Sequence, residues 1–386
     1  MNGFAIRAAR VFDGERALGD PPVLVRDGRI EAVGGPVPAG RPVVEHPGTL
    51  LPGLFDMHTH LGGNGTFGAL DRLAGYTEDE LDGVIGTALR KQLAAGVTTV
   101  RDLGDRRYAT LRWRGRPGLP TILAAGPPIT TAGGHCWNMG GEVRGEAEIR
   151  AAVAERAERG VDVVKVMASG GGMTPGTDIM GCQFTLAELR LIVDESHRAG
   201  LPVTAHAHGL PAVEQAVRAG VDGIEHCSCL TPDGIRMSDE LAAEIADRGI
   251  TVCPTLGAIG EMTPPPAIQE FLERTGSTIR HRIGQVARLA RAGVTIVSGA
   301  DSGISPGKPH GMVASSVEWL VDGGISTEAA LASATSVAAD VTELGERKGR
   351  IRPGFDADLL LVDGDPLTDI TALARPAKVW LAGTAV

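Results

Sequence analysis

Ten histidines are spread over 386 residues, and seven of them share one local setting. His58, His60, His135, His206, His208, His226 and His310 each stand at or just after the end of a short apolar or β-branched run, whereas His46, His197 and His281 do not. Asp301 occupies the same setting in VSGAD, where an acid directly after a buried run needs a partner to offset its desolvation. In His58-Thr59-His60 the imidazoles are two residues apart, so on a strand both point the same way and can reach one cation. Several imidazoles with one carboxylate suit Zn2+ or another borderline divalent metal, because Ca2+ and Mg2+ prefer shells of oxygen.

Lys165 lies inside VDVVKVMASG, among valines and a methionine. Burial there disfavours the ammonium form, so the pKa falls and the neutral amine becomes accessible. A neutral amine beside metal histidines can take up carbon dioxide as a carbamate, which is anionic and offers two oxygens to two cations. The side chain could equally stay a plain cation or hydrogen-bond donor at the same place. The residues alone leave both states open.

These groups are far apart in the chain, so the fold must gather them. From about residue 85 to residue 300 one pattern recurs: a helix, then Ala-Gly or Arg-Gly, then a β-branched run. It reads LRKQLAAGVTTVRDL, VAERAERGVDVVKVM, VDESHRAGLPVTAHAHG, VEQAVRAGVDGIEHC, AAEIADRGITVCPT and ARLARAGVTIVSGAD. The glycine suits the left-handed residue after a helix, and the run suits a strand buried on both faces. TLLPGLFDMH and PTILAAG bring the strand count to eight, which favours a closed α/β fold, the (β/α)8 TIM barrel, over an open sheet. In such a barrel the C-terminal strand ends converge on one mouth, and these seven histidines, Lys165 and Asp301 all fall there.

The chain ends read differently, as short strands with turns at Asp13-Gly14, Asp27-Gly28, Pro353-Gly354 and Asp363-Gly364. Neither end has enough apolar residues to fold alone. The expected organisation is a small discontinuous β-sandwich domain from residues 1–53 and 346–386, beside a barrel from residues 54–345. The Ala-rich stretch Ser326 to Glu343 reads as helix.

A formal charge of -10 and only 3% aromatic residues argue against nucleic acid as a partner. No window approaches the roughly 20 apolar residues of a membrane helix, and no apolar leader follows the N-terminus, so a cytoplasmic protein is expected. Five cysteines at irregular spacing read as free thiols. Arg101 and Arg106 are candidates for a substrate carboxylate, with His310 as a possible helper, and the glycine-rich segment GGGMTPGTDIMGCQ is a candidate lid. A homo-oligomer acting on a small molecule is the expected assembly.

The string Pro52-Gly53-Leu54-Phe55-Asp56-Met57-His58-Thr59-His60, together with Lys165, His206, His226 and Asp301 at later strand ends, resembles the amidohydrolase superfamily. GGH at Gly133 to His135, KVMASGG, TAHAHG, GIEHC and GADSG are most similar to its imidazolonepropionase-like branch, which includes metal-dependent Xaa-Pro dipeptidases and ochratoxinase-type carboxamidases. The resemblance implies that His58, His60 and Asp301 hold one metal and His206 and His226 a second, with carboxylated Lys165 bridging two Zn2+. It implies that His135 and His208 face the substrate, and that Asp301 relays a proton while hydroxide activated by the metals attacks a small amide or dipeptide-like C–N bond. Two other functions stay open: a single-metal cyclic amide (imidazolone or lactam) hydrolase or deaminase, and an inactive barrel kept for binding.

Overall fold

The computed structural model describes residues 3–260 and 266–386. Helices Glu78–Ala94, Gly145–Arg159, Leu186–Arg198, Leu210–Ala219, Asp239–Asp247 and Ile279–Arg291 carry the repeat. Each is followed within two residues by a glycine whose φ lies between 67° and 89° (Gly96, Gly160, Gly200, Gly220, Gly249, Gly293), a conformation that a Cβ would strain. Two of the helices begin with a reciprocal cap, Thr77 with Glu80 and Thr185 with Glu188, which satisfies backbone N–H groups that have no partner within the helix.

The strands between these helices run parallel. Leu54–Thr59 pairs with Val97–Asp102 and that with Thr121–Ala124; Val164–Met167 pairs with Val203–Gly209, which pairs with Gly223–Thr231 and, through it, Thr251–Cys253. Three joints complete the ring. After Thr121–Ala124 the prolines Pro127 and Pro128 cannot donate to a ladder, so only Ile129 bridges onward, to Val166. The eighth position is filled by residues 295–302, hydrogen-bonded to Val252 on one side and to Met57 and His58 on the other. It is not a regular strand: a Cβ at Gly299 would lie 2.6 Å from the His58 nitrogen, and Asp301 has φ 56°. The architecture is thus a mixed α/β fold of the TIM-barrel type.

Both chain ends join one eight-stranded sheet. The returning strand Leu359–Val362 runs antiparallel to Val43–Pro52, with Leu360 opposite Leu51, and the sheet has its own apolar cluster around Ile6, Val23, Ile30, Leu50 and Trp380. The run TLLPGLFDMH, expected as one barrel strand, divides at Gly53. Its first half belongs to the terminal sheet and its second to the barrel, because a Cβ at Gly53 would lie 2.3 Å from Thr98 Oγ1 and its N–H turns to Asp358. The Ala-rich stretch forms two helices, Thr327–Ser333 and Ser336–Val341. Among the described residues no helix is long and apolar enough to cross a membrane.

Candidate metal centre

His58 is the penultimate residue of the first barrel strand with His60 one residue past its end, Lys165 lies in the fourth, His206 and His208 in the fifth, and His226 in the sixth. With His135 and Asp301 they line one cavity of about 50 Å³ at the C-terminal mouth, which Leu70, Met173 and Ile304 also line. Two donor groups form within it: the ligand atoms of His58, His60 and Asp301 lie within 4.8 Å of one another, and so do those of His206, His208 and His226. Asp301 Oδ1 sits 3.4 Å from His58 Nε2 and 3.3 Å from His60 Nε2. The His58 and His226 rings are 5.2 Å apart, so the groups are neighbours.

Four of the imidazoles have one nitrogen held by a partner outside the donor groups. His58 Nδ1 is 2.7 Å from Glu225 Oε2, His60 Nδ1 is 3.1 Å from the Gly104 carbonyl, and His226 Nδ1 is 2.8 Å from Thr255 Oγ1. His206 is held through the other nitrogen, Nε2, 3.1 Å from the Gly170 carbonyl. Such outer contacts fix the ring and leave the second nitrogen for a cation. Burial, with the Lys165 charge nearby, pulls His58 down to about 4, and burial pulls His206 and His226 well below the ordinary value. Neutral rings are the form that binds metal. Burial opposes charge on Asp301, yet His58 and His60 hold its carboxyl below the usual range.

Lys165 is 1% exposed, and its Nζ has no hydrogen-bond partner among the described residues. Burial lowers its pKa, so an unpaired amine stands beside both donor groups. An orphaned buried nitrogen lining the same cavity as two clusters of imidazoles, one of them completed by a carboxylate, is a donor set that fits divalent cations.

Residues 49–386 match the amidohydrolase family. The chain belongs to that family. It is 28% identical over 376 residues to the ochratoxinase of Aspergillus niger, covering 86% of this chain and 75% of that one. It is 29% identical over 381 residues to the imidazolonepropionase of Salinispora tropica, covering 91% and 88%. The crystal structure of a prolidase complexed with N-methylphosphonate-L-proline superposes with a TM-score of 0.85 at 28% identity, covering 100% of this chain and 99% of the other. The family is generally metal-dependent, which agrees with the donor groups. These likenesses fit a metal-dependent hydrolase of amide or peptide C–N bonds.

Several candidates fall elsewhere in this amidohydrolase. Arg101 is not free for a substrate carboxylate: its Nη2 donates to Glu225 Oε1 at 2.9 Å and its Nε to the Met57 carbonyl at 2.8 Å. Arg106 donates to the Asn138 carbonyl. His310 is spent on the Gly63 carbonyl at 2.8 Å, outside the cavity. The candidate lid does reach the site: Thr174 Oγ1 is 2.8 Å from His135 Nδ1. The residue missed from sequence is Glu225, which joins His58, Arg101 and Thr204. Its signal was an acid within the buried run GIEHC.

Proposed function

We propose that this amidohydrolase cleaves the C–N bond of a dipeptide-like or N-acyl amino acid substrate, using two Zn2+ held by His58, His60 and Asp301 and by His206 and His226, with N6-carboxylated Lys165 between them. The observation that carries this reading is the buried, unpaired Lys165 Nζ in the cavity that two sets of imidazoles also line. In its neutral form the nitrogen bonds to the carbon of carbon dioxide and one proton leaves, which converts an orphaned donor into an anion. Bound cations supply Lewis acidity, lowering the pKa of water and polarising the scissile carbonyl.

The protein supplies the rest. Asp301, kept ionised by His58 and His60, takes the proton of the attacking water and returns it to the leaving nitrogen as the C–N bond breaks. His135 and His208 line the cavity and donate to the carbonyl oxygen as it gains charge. Leu70, Met173 and Ile304 supply an apolar part of the cavity wall.

The same reading divides the chain into a β-sandwich domain of residues 1–53 and 346–386 and a barrel of 54–345, which the separate apolar cluster of the terminal sheet supports. Five free cysteines support a reducing, cytoplasmic setting, and exposed Phe67, Trp137 and Ile259 support a homo-oligomer.

The test is metal analysis with and without bicarbonate, followed by a screen of dipeptides, N-acyl amino acids and lactams on the zinc-reconstituted protein. Two zinc per chain, a carbon-13 carbamate signal from labelled bicarbonate, and turnover of linear amides are expected. One zinc indifferent to bicarbonate, with turnover of lactams only, would replace this reading by the single-metal cyclic amidase that the imidazolonepropionase likeness suggests.

A further inference from the structure

Ser228 lies two residues beyond His226, and its hydroxyl has two partners of unequal character. One is His208 Nδ1 at 2.8 Å; the other is the Arg282 guanidinium. Arg282 belongs to the Ile279–Arg291 helix, outside the ring of strands, and its side chain runs inward to Ser228, to the His226 carbonyl at 3.1 Å and to the Pro254 carbonyl. No carboxylate is among these partners.

A guanidinium can only donate, so Ser228 Oγ accepts from Arg282. The serine proton then needs an acceptor, and among the described contacts His208 Nδ1 is the one within reach. Leaving a buried hydroxyl proton unpaired would be costly. His208 Nδ1 therefore carries a lone pair and Nε2 carries the proton, on the edge of the ring away from Ser228. The ring itself lines the cavity. His206, two residues earlier, is equipped in the opposite way. Its Nε2 meets the Gly170 carbonyl, which can only accept, so the lone pair is left on Nδ1.

Distance alone would admit His206, His208 and His226 together as ligands of one cation. We propose that Arg282 is a positioning residue: through Ser228 it fixes His208 as an N–H donor toward the substrate carbonyl and so bars it from the ligand set, leaving His206 and His226. A nitrogen that holds a proton has no lone pair for a metal. The proposal rests on the hydrolase reading only for what receives that N–H.

The experiment uses zinc-loaded protein labelled with nitrogen-15 histidine, the His208 signals being identified by their loss in His208→Gln. His208 is expected as the Nε2–H tautomer. Ser228→Ala mixes the tautomers and lowers kcat by about 10- to 100-fold while KM moves by less than about 3-fold, because a donor aimed at developing charge is lost. Arg282→Lys, which keeps a donor for Ser228, retains most of both. His208→Gln, whose amide N–H takes the place of Nε2–H, keeps the parent zinc content, whereas His206→Gln loses zinc. An unchanged His208 tautomer in Ser228→Ala, or zinc lost from His208→Gln, would overturn the proposal. Tautomer and zinc content are read without turnover, so a protein that hydrolyses no amide would defeat the hydrolase reading separately.

Discussion

Glu225 stands directly before His226 in the chain, yet its carboxylate serves His58 on another strand. It accepts from His58 Nδ1 at 2.7 Å, Arg101 Nη2 at 2.9 Å and Thr204 Oγ1 at 2.6 Å, and Arg101, then His58, hold its carboxyl below the usual range against the effect of burial. An amide keeps the shape and gives up the charge, so Glu225→Gln should weaken zinc binding by about 10- to 100-fold with the fold intact by circular dichroism. Competition against a chelator measures it, and parent affinity would deny Glu225 that role. A second buried acid makes a pH prediction. Burial, with Asp105 beside it, pushes Asp102 up to about 7, and burial raises Asp105 to about 6. Both lie above the ordinary value of about 4, so the folded state keeps protons that the unfolded chain releases. The stability this gives is complete below about pH 4 and is lost as pH rises to about 7. Asp105 Oδ2 accepts from Thr110 N at 2.7 Å while Oδ1 has no partner among the described residues. Asp105→Asn keeps the useful oxygen without the charge, and should gain on the order of 1 to 2 kcal/mol at pH 8 and almost nothing at pH 4. Urea unfolding at the two pH values checks it; an equal change at both would refute the linkage. Six of the histidines and Asp301 were legible as a group because each sits at or just past the end of a buried run, and Lys165 because it lies inside one. The partners of Glu225, Arg101 and Arg282 were not, since an acid or a cation in such a run says only that it needs a counterpart, without saying which.

At the scale of elements, the six helix-glycine-strand units could be read from the chain because each glycine has the positive φ that its place after a helix demands. The joints could not. Pro127 and Pro128 leave a single β-bridge, Ile129 to Val166, between the third and fourth strands, and the eighth strand is replaced by a bent segment shaped around Gly299 and Asp301. Both departures lie in the ring that carries the site, where tertiary contact outweighs local preference. The segment from Gly170 to Gln183 shows what such irregularity can do. The cavity beneath it holds about 50 Å³, whereas small-molecule pockets run from roughly 300 to 1,000 Å³, and movement of this segment is expected when a substrate binds. Thr174 is its latch, with its hydroxyl at 2.8 Å from His135 Nδ1 and 3.0 Å from the Cys136 nitrogen. Thr174→Ala should speed amide hydrogen exchange across residues 170–183 and reduce kcat by roughly 2- to 10-fold, the value of one or two modest hydrogen bonds. Unaltered exchange in that segment would show that Thr174 holds nothing shut.

At the scale of the whole molecule, the two chain ends meet on one sheet and the barrel hangs between them. The turn-rich ends announced short strands, but which strand of one end lies against which of the other depends on contacts more than 300 residues apart, and no local pattern encodes those. The joint itself is ionic. Lys348 follows the last barrel helices, is 5% exposed, and donates to Asp358, with Asp356 at 3.5 Å. Asp358 also accepts the Ala382 N–H at 2.7 Å through its other oxygen, and its carbonyl accepts from Gly53, the residue where terminal sheet passes into barrel. One lysine thus holds together the exit from the barrel, the returning strand and the entry to the first barrel strand. Replacing it by methionine fills the same space and leaves a buried carboxylate without its cation, which costs about 3 to 5 kcal/mol in comparable buried pairs. Lys348→Met should therefore unfold at much lower urea than the parent. Lys348→Met/Asp358→Leu, which removes both charges, should recover a large part of that loss because the penalty comes from the unpaired acid and not from a missing attraction. Equal destabilisation of the single and double variants would mean that the joint depends on the Asp358 hydrogen bond to Ala382 and not on its pairing with Lys348.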